Sequence, residues 1–536
     1  MLEIELKFLI PPTQLTKIVQ KVNIRSAKKT QMAAHYFDTQ KNTLAKRGIG
    51  LRIRREVENW VQTLKAGGDG IAARLEHNQL LDTEQVQLML DSQSLKPDLT
   101  IYKGTSIEST LSGIPLDKLA NNLIMQYVTS VQRTTRLLTD KKNSHNGNAN
   151  GNENNFEVNN QDNGGASNVI EVAYDDGEVI HGTDDSRRQP IQEIEFEIIS
   201  GDIDYLFSVA TTWCKRYKLC LSTVTKAERG GLLTQGRSYS PAVSANLSQL
   251  TVKKDMSKPA FIRAVVHHCL LQILPNSSAI VAGSQDIEQV LQLRVGIYRL
   301  QAALKAFKEC SDELNPEWLP ILAQTAALLD HSYEHASLIL EVDNELQNHG
   351  GPLVDWSGYA DKRQLTPLKV IAATDFQLTL LALIAFTMSD PRLEKDADTA
   401  IGQEIMTKIL SQTYKKMLKA EALLNDGRHD EVDAACKEDA QDAFQRRIET
   451  LRYISEFTAP LYAKKKTKPW LKRIIKAQLA VEHHHTVMKN REYYQHRAST
   501  DLNAWFGVGW FASNIEKKHK HYQKQLCKLR KTPVFW

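Results

Sequence analysis

The sequence predicts an α+β chain of two domains: a β-barrel with a charged interior over residues 1–236, a linker over 237–258 and an all-α helical bundle over 259–536. Three observations predict it. The first part alternates apolar and polar residues with a period of two, the mark of strands with one buried face. Past Gly236 the apolar spacing changes to three and four, the helical period. A chain of 536 residues also exceeds what one hydrophobic core supports.

In the opening strand Leu2, Ile4, Leu6 and Phe8 share one face, and Glu3, Glu5 and Lys7 the other. Pro11-Pro12 starts a helix through Leu15, Ile18, Val19 and Val22 that would cover one outer wall. Alternation returns in LRIRRE from Leu51, WVQTLK ending at Lys65, VIEVAYD from Val169 and IQEIEFEII from Ile191. Strands whose second face is regularly charged fit a barrel with a polar lumen. Between Lys141 and Asn168 runs a tract of Asn, Gly, Ser and Asp with almost no apolar residue, which predicts a disordered hairpin insertion. The mixed polar stretch ending near Lys258 reads as the linker. Beyond it, Ile287, Val290, Leu291, Val295 and Tyr298 lie on one helical stripe, with Asp286 as its N-cap, and DFQLTLLALIAFT and DAFQRRIETLRYISEF are equally helical.

Composition narrows the function. The net charge of +5 admits an anionic ligand without pointing to nucleic acid. No run reaches the roughly 18 uninterrupted apolar residues of a membrane span. Six cysteines lie scattered without CxxC spacing, and the N-terminus MLEIELKFLI carries acidic residues where an export signal is basic. Together these predict a cytoplasmic protein without a disulfide framework or zinc site, and with neither membrane nor specific nucleic acid as partner.

The charged strand faces carry the chemistry. Glu3, Glu5 and Lys7 share one face, as do Glu193, Glu195 and Glu197, and as do Glu171 and Asp175. Cations concentrate on other strands at Arg52, Arg54, Lys65, Arg74, Arg133 and Arg136. Any one such face is usually a solvated outer wall, but solvated faces mix both signs with Thr, Ser and Gln. Clustered carboxylates repel one another unless a cation sits among them. Hard divalent ions such as Mg²⁺ or Mn²⁺ suit those oxygens, and Arg and Lys suit the phosphate oxygens that the metal leaves free. One cavity of this kind can hold a polyanion bridged to a metal, as phosphoryl transfer requires.

These residues fall in a familiar order. EIELK at Glu3 to Lys7 resembles the ExExK signature of the CYTH family, the triphosphate tunnel metalloenzymes. HYFDT from His35, LRIR from Leu51, T-x-K at Thr63 to Lys65, R-x-E at Arg74 to Glu76, the strand ending at Asp175, ExE within Glu193 to Glu197 and TKAERG with Lys226 follow in the family's order. The resemblance implies an eight-stranded antiparallel tunnel acting on triphosphate compounds with Mg²⁺ or Mn²⁺. It implies metal ligands among Glu3, Glu5, Asp175, Glu193, Glu195 and Glu197. Glu195 belongs to both ExE pairs that EIEFE offers. Catalytic roles fall to Glu3, Glu5, Lys7, Glu171 and Asp175, and substrate binding to Arg52, Arg54, Lys65, Arg74, Arg133, Arg136 and Lys226.

The second half resembles a CHAD domain, a helical module associated with polyphosphate binding. QLRVGIYRLQAALKAF from Gln292 and LRYISEF from Leu451 are similar to its two repeat helices. The pattern is incomplete, with Leu291, Tyr298, Gln301, Glu449 and Thr450 at positions where the family has basic residues. Arg294, Arg299, Arg446, Arg447, Arg452 and the run from Lys464 keep basic character. The expected activity is hydrolysis of inorganic triphosphate, with long-chain polyphosphate as a possible second partner. The rivals are a class IV adenylate cyclase, a nucleoside or thiamine triphosphatase, and a non-catalytic polyphosphate scaffold.

Overall fold

The structure is a computed structural model, and it describes residues 2–67, 72–140, 168–356, 365–425 and 434–536. The expected insertion falls on residues 141–167, outside the described residues, and only Asn168 at its end is placed.

Nine strands form one antiparallel sheet: β1 (Leu2–Leu9), β2 (Lys28–Thr39), β3 (Gly50–Glu56), β4 (Asn59–Gly67), β5 (Ala73–Leu81), β6 (Leu123–Thr139), β7 (Val169–His181), β8 (Asp184–Ser200) and β9 (Cys220–Leu221). Their order is β5-β4-β3-β2-β6-β7-β8-β1-β9, and a further pairing of β1 with β5 closes the first eight into a barrel. Closure leaves those eight strands without a free edge. β1 achieves it by dividing its pairing: Leu2 to Ile4 face β5, while Glu5 to Leu9 face β8. The short β9 adds to the far end of β1 at Phe8 and Leu9.

The strands alternate as their sequences predict, and the outer faces are apolar. Under β3 and β4, Leu51, Ile53, Trp60 and Leu64 pack with Val86 of α2 (Thr83–Asp91) and Leu119 of α3 (Leu116–Asn122). The predicted early helix is α1 (Leu15–Val22), with Ile18 and Val22 fully buried. Behind β8, Phe196 meets Phe8 and Trp213 edge-to-face at 5.6 and 5.4 Å, and Trp213 lies on α4 (Ile203–Tyr217). The last helix of the barrel sequence, α5 (Lys226–Thr234), packs against β6, β7 and β8. Its N-cap Thr225 accepts from the Glu228 amide at 2.9 Å, as a T-x-x-E capping sequence should.

From Lys258 the chain is helical: α6 (Lys258–Val281), α7 (Ile287–Ala306), α8 (Trp318–Ser337), α9 (Asp343–Asn348), α10 (Pro367–Ile371), α11 (Thr374–Met388), α12 (Gln403–Asn425), α13 (Ala434–Thr458), α14 (Lys464–Arg497) and α15 (Ala504–Arg530). The chain divides into two compact units. One takes residues up to Val243 with 274–285 and 371–388, and the other takes 244–273, 286–370 and 389–536. The barrel unit thus contains the end of α6 and all of α11. The stretch expected as a linker is held in place at Val243, whose amide and carbonyl both bond the Asn276 side chain, at 3.0 and 2.8 Å. Among the described helices, α6 alone is long and apolar enough to cross a membrane, and 78% of its apolar window is buried.

In the helical unit, Trp470 of α14 is fully buried, donates to Ser455 Oγ at 3.1 Å and packs at 4.9 Å against Trp536. Arg294, Arg299 and Arg452 are turned against acids. Arg299, 1% exposed, pairs with Glu456, which also receives Arg452 at 2.8 Å, and Arg294 pairs with Asp330. Tyr298, which stands where the family has a basic residue, bonds the same Asp330. Arg446 and Arg447 are exposed.

Candidate active site

The lumen is a cavity of about 1240 Å³ lined by the charged faces of the strands. At one side α5 covers it. Leu233 joins Ala34, Tyr36, Tyr127 and Val131 in an apolar cluster, and Tyr127 Oη donates to the Ala227 carbonyl at 2.7 Å. This contact requires glycine at 230, because a Cβ there would lie 2.1 Å from the Tyr127 ring. α5 thereby brings Lys226, its first residue, and Arg229, one turn on, to the lumen.

The lumen carboxylates form two groups. In the first, register places Asp175 opposite Glu193 and Arg133, and Glu195 opposite Lys7. Asp175 and Glu193 are fully buried, and the carboxylate oxygens of Asp175, Glu193 and Glu195 lie within 4.8 Å of one another. A divalent ion could span that distance, but four protein cations already serve these three acids. Lys226 Nζ reaches Asp175 at 2.7 Å, Glu193 at 2.6 Å and Glu195 at 2.8 Å. Lys7 lies 2.9 Å from Glu195, Arg133 bonds Asp175 at 2.6 Å and also Glu195, and Arg229 sits 3.3 Å from Glu193. Burial alone would push the acids up. Lys226 reverses that, with Lys7 and Arg133, and holds Asp175, Glu193 and Glu195 below their usual range. Lys7 and Lys226 are in turn held above theirs despite burial, by Glu193 and Glu195.

The second group is short of positive charge. Glu5 stands opposite Glu197, and Glu197 opposite Glu171, so three carboxylates follow one another across β1, β8 and β7. Glu3 lies on the same face of β1. Against these, Lys65 bonds Glu3 at 2.6 Å and Glu76 at 2.9 Å, and Arg74 reaches Glu5 at 3.4 Å. Burial pushes the Glu197 carboxyl up to about 7; Lys65 compensates only in part, and Glu5 and Glu171 add to the rise. Glu3 also rises, first through burial; burial acts the same way on its hydrogen-bonded neighbour Glu76, but the charge and hydrogen bond of Lys65, the hydrogen bond with Glu3 and the Arg52 charge together lower it. Hard oxygen donors with unspent negative charge are the donor set that a small divalent cation takes. Glu3, Glu5 and Glu197 fit it better than the neutralised triad.

The opposite wall is β3. Arg52 donates to Tyr36 Oη at 3.2 Å, and Arg54 pairs with Glu56. Burial and the adjacent Arg52 lower Arg54 to about 10. Burial would raise the Tyr36 phenol, but Arg52 holds it below its ordinary range. The Nε–H groups of Arg52 and Arg54 are buried without a hydrogen-bond acceptor among the described residues. A buried donor without an acceptor carries a desolvation penalty, here in a cavity able to admit an anion.

Of the residues assigned from sequence, Glu3, Glu5, Lys7, Arg52, Arg54, Lys65, Arg74, Arg133, Asp175, Glu193, Glu195, Glu197 and Lys226 come together around this lumen, and Glu171 stands in register beside Glu197. Arg136 does not. It lies three residues from Arg133 on β6, hence on the other face, and its Nη1 donates to the Lys21 carbonyl of α1 at 2.7 Å. Its assignment to substrate is corrected to a tie between barrel and outer helix. Tyr36, Glu76 and Arg229 were quoted in motifs but given no role. Tyr36 has the parity of Ala34, Glu76 that of Arg74, and Arg229 lies one helical turn from Lys226, so spacing alone could have placed them.

An inorganic triphosphatase of Haemophilus influenzae is 29% identical over 239 residues, 43% of this chain. The chain covers 54% of that relative's length. Among solved structures, the CHAD domain of the plant Ricinus communis matches 55% of this chain and 98% of its own at 18% identity and a TM-score of 0.43. A Hippeastrum protein with a dominant triphosphatase activity matches 44% and 96% at 15% identity and a TM-score of 0.30. Residues 1–230 match the family model of the CYTH domain and residues 264–495 that of the CHAD domain, so the chain belongs to the CYTH family in its first part and to the CHAD family in its second.

Proposed function

We propose that the barrel hydrolyses inorganic triphosphate, water adding to a terminal phosphorus as the phosphoanhydride bond breaks to give pyrophosphate and phosphate. One observation carries this reading: the buried Nε–H donors of Arg52 and Arg54 lack acceptors in the same lumen in which Lys65 and Arg74 offset only part of the charge of Glu3, Glu5, Glu171 and Glu197. A phosphate chain with its divalent ion supplies both deficits at once. In this reading Mg²⁺ or Mn²⁺ is held by Glu3, Glu5 and Glu197, with Glu171 beside them, and when bound it neutralises phosphate charge and makes phosphorus more electrophilic. Arg52, Arg54, Lys65 and Arg74 orient the chain through its oxygens, guanidinium groups holding two at a time. Lys7, Arg133 and Lys226 are kept extended by Asp175, Glu193 and Glu195, so they offer charge to a terminal phosphate without a cost of reorientation. α5 limits water at one end. The helical domain contributes long-chain polyphosphate affinity through its exposed Arg446 and Arg447 rather than through its paired arginines.

The test is an assay of purified protein on triphosphate, ATP, thiamine triphosphate and long polyphosphate, each with Mg²⁺, with Mn²⁺ and with chelator. Phosphate release from triphosphate, lost on chelation and exceeding that from ATP, is the expected result. Preference for ATP, or release of pyrophosphate from it, would replace this reading with one of the nucleotide activities.

A further inference from the structure

We infer that Gln377 and Ser278, two residues far along the chain inside the stretch that matches the CHAD family, are positioning residues for Lys226 of the tunnel. The inference rests on the triphosphate reading above for the meaning of Lys226, and on geometry for the rest.

Among the described residues Lys226 is the one side chain that bridges all three acids of the neutralised group, and a short segment of chain sets where it starts. That segment, from Cys220 to Thr225, has almost no regular structure, since β9 is two residues long. Four successive amides are nevertheless fixed. Leu221 N donates to Gln377 Oε1 at 2.8 Å, Ser222 N to the Lys7 carbonyl at 2.9 Å, Thr223 N to Ser278 Oγ at 2.9 Å and Val224 N to Ser222 Oγ at 3.3 Å. The next residue, Thr225, caps α5, and Lys226 follows directly.

Two of these four anchors come from outside the barrel sequence. Gln377 of α11 is fully buried, and its amide nitrogen donates to the Ile371 carbonyl at 2.7 Å, which fixes its oxygen toward Leu221. Ser278 of α6 is 1% exposed and donates to the Leu274 carbonyl at 2.7 Å, which leaves its oxygen to accept from Thr223. In both cases a second hydrogen bond orients the side chain so that its oxygen faces the segment. Both residues fall in the same compact unit as the barrel. Without them a buried amide at Leu221 and a half-buried one at Thr223, just ahead of α5, would lose their acceptors, and the start of α5 would be free to shift.

The test uses the full chain. Ser278→Ala and Gln377→Leu remove the two acceptors, and Thr379→Ala is the control. Thr379 lies on α11 with Gln377, and among the described residues its buried hydroxyl bonds only the Asp375 carbonyl within that helix. Two readouts are taken: amide exchange over residues 220–226, and the Kd for inorganic triphosphate by calorimetry without metal. Ser278→Ala and Gln377→Leu should speed exchange in that segment and weaken triphosphate binding on the order of tenfold, while Thr379→Ala changes neither. In a Lys226→Gln background, Ser278→Ala should weaken binding no further, because the effect runs through Lys226. Unchanged exchange and Kd in Ser278→Ala, equal effects from Thr379→Ala, or full additivity with Lys226→Gln would each overturn the inference. Should Gln377→Leu fail to fold, Ser278→Ala decides alone. If the wild-type protein does not bind triphosphate, the substrate reading falls, and the exchange comparison still decides whether these side chains hold the segment.

Discussion

Glutamine in place of Glu197 removes one charge from the under-neutralised row and keeps the side chain's shape. In the metal-free protein this carboxyl sits at about 7 against 4.5 for an ordinary glutamate. Below pH 4.5 the group is protonated in folded and unfolded states alike and costs nothing. Between 4.5 and about 7 the folded state binds more protons than the unfolded, so stability falls as pH rises, and above about 7 the whole penalty is present. The shift corresponds to at most about 3 kcal/mol, and water entering an open lumen brings this to about 1–2 kcal/mol. Glu197→Gln should therefore raise the melting temperature of the metal-free protein at pH 8 by roughly 3–6 °C and leave it nearly unchanged at pH 4.5. Saturating Mg²⁺ or Mn²⁺ should stabilise the wild type at pH 8 and do little for the variant, which has lost a charged ligand. Triphosphatase activity should fall by at least a hundredfold, on the order seen when a catalytic electrostatic group is removed. Thermal scans at both pH values, with chelator and with each metal, are the assay. A variant no more stable than wild type at pH 8 without metal would refute the charge argument, and undiminished metal stabilisation would refute the ligand assignment.

Gly230→Ala forces a methyl into the Tyr127 ring, so α5 must move and carry Lys226 with it. Stability should drop by about 1–3 kcal/mol and kcat/KM by more than tenfold, as steady-state kinetics would show. Arg136→Ala should leave the KM for triphosphate at the wild-type value while lowering stability by about 1–3 kcal/mol, whereas Arg133→Ala should damage activity first; a raised KM in Arg136→Ala would return that residue to the lumen. For the helical domain, Arg446→Ala with Arg447→Ala should reduce long-chain polyphosphate binding and lower its salt slope by about two. A salt titration of the full chain checks this, and no change in slope would remove these two arginines from any such role.

The barrel was legible because its information is local. A period of two sorts Glu3, Glu5 and Lys7 from Leu2, Ile4 and Leu6 without knowledge of any other strand, and the same rule would have turned Arg136 outward, since it stands three residues from Arg133. Which acids lack a counter-charge is not local. Glu193, Glu195 and Glu197 are equivalent in sequence. Only the register that sets Glu195 against Lys7 and Glu197 against Glu5 makes the first pair neutral and the second pair repulsive. The ambiguity between the two overlapping ExE pairs was therefore a question about cross-strand partners, which a single strand's sequence does not contain.

The helical half shows the same limit from the other side. Read along the chain, Arg294, Arg299 and Arg452 are basic residues on repeat helices and suggest a polyanion surface. In the fold each faces an acid, at Asp330 or Glu456, and Arg299 is 1% exposed. Arg299, buried together with its carboxylate, is out of a ligand's reach, and removing that carboxylate would strand the cation at a cost of several kcal/mol. The acids that silence these arginines lie on other helices or one turn away, 36 residues on for Arg294 and 157 for Arg299. Sequence distance of that order also separates Gln377 from Leu221. In both cases a residue's part in function is set by a partner that no motif connects to it, so charge counted along a helix overstates what the domain can bind, and a tunnel counted to Gly236 understates what it needs. A chain cut near Gly236 should on this argument keep Lys226 yet lose the acceptors at Leu221 and Thr223. It should bind triphosphate more weakly than the full chain, by at least the loss seen in Ser278→Ala, and equal affinity in the two would show that the barrel sets Lys226 unaided.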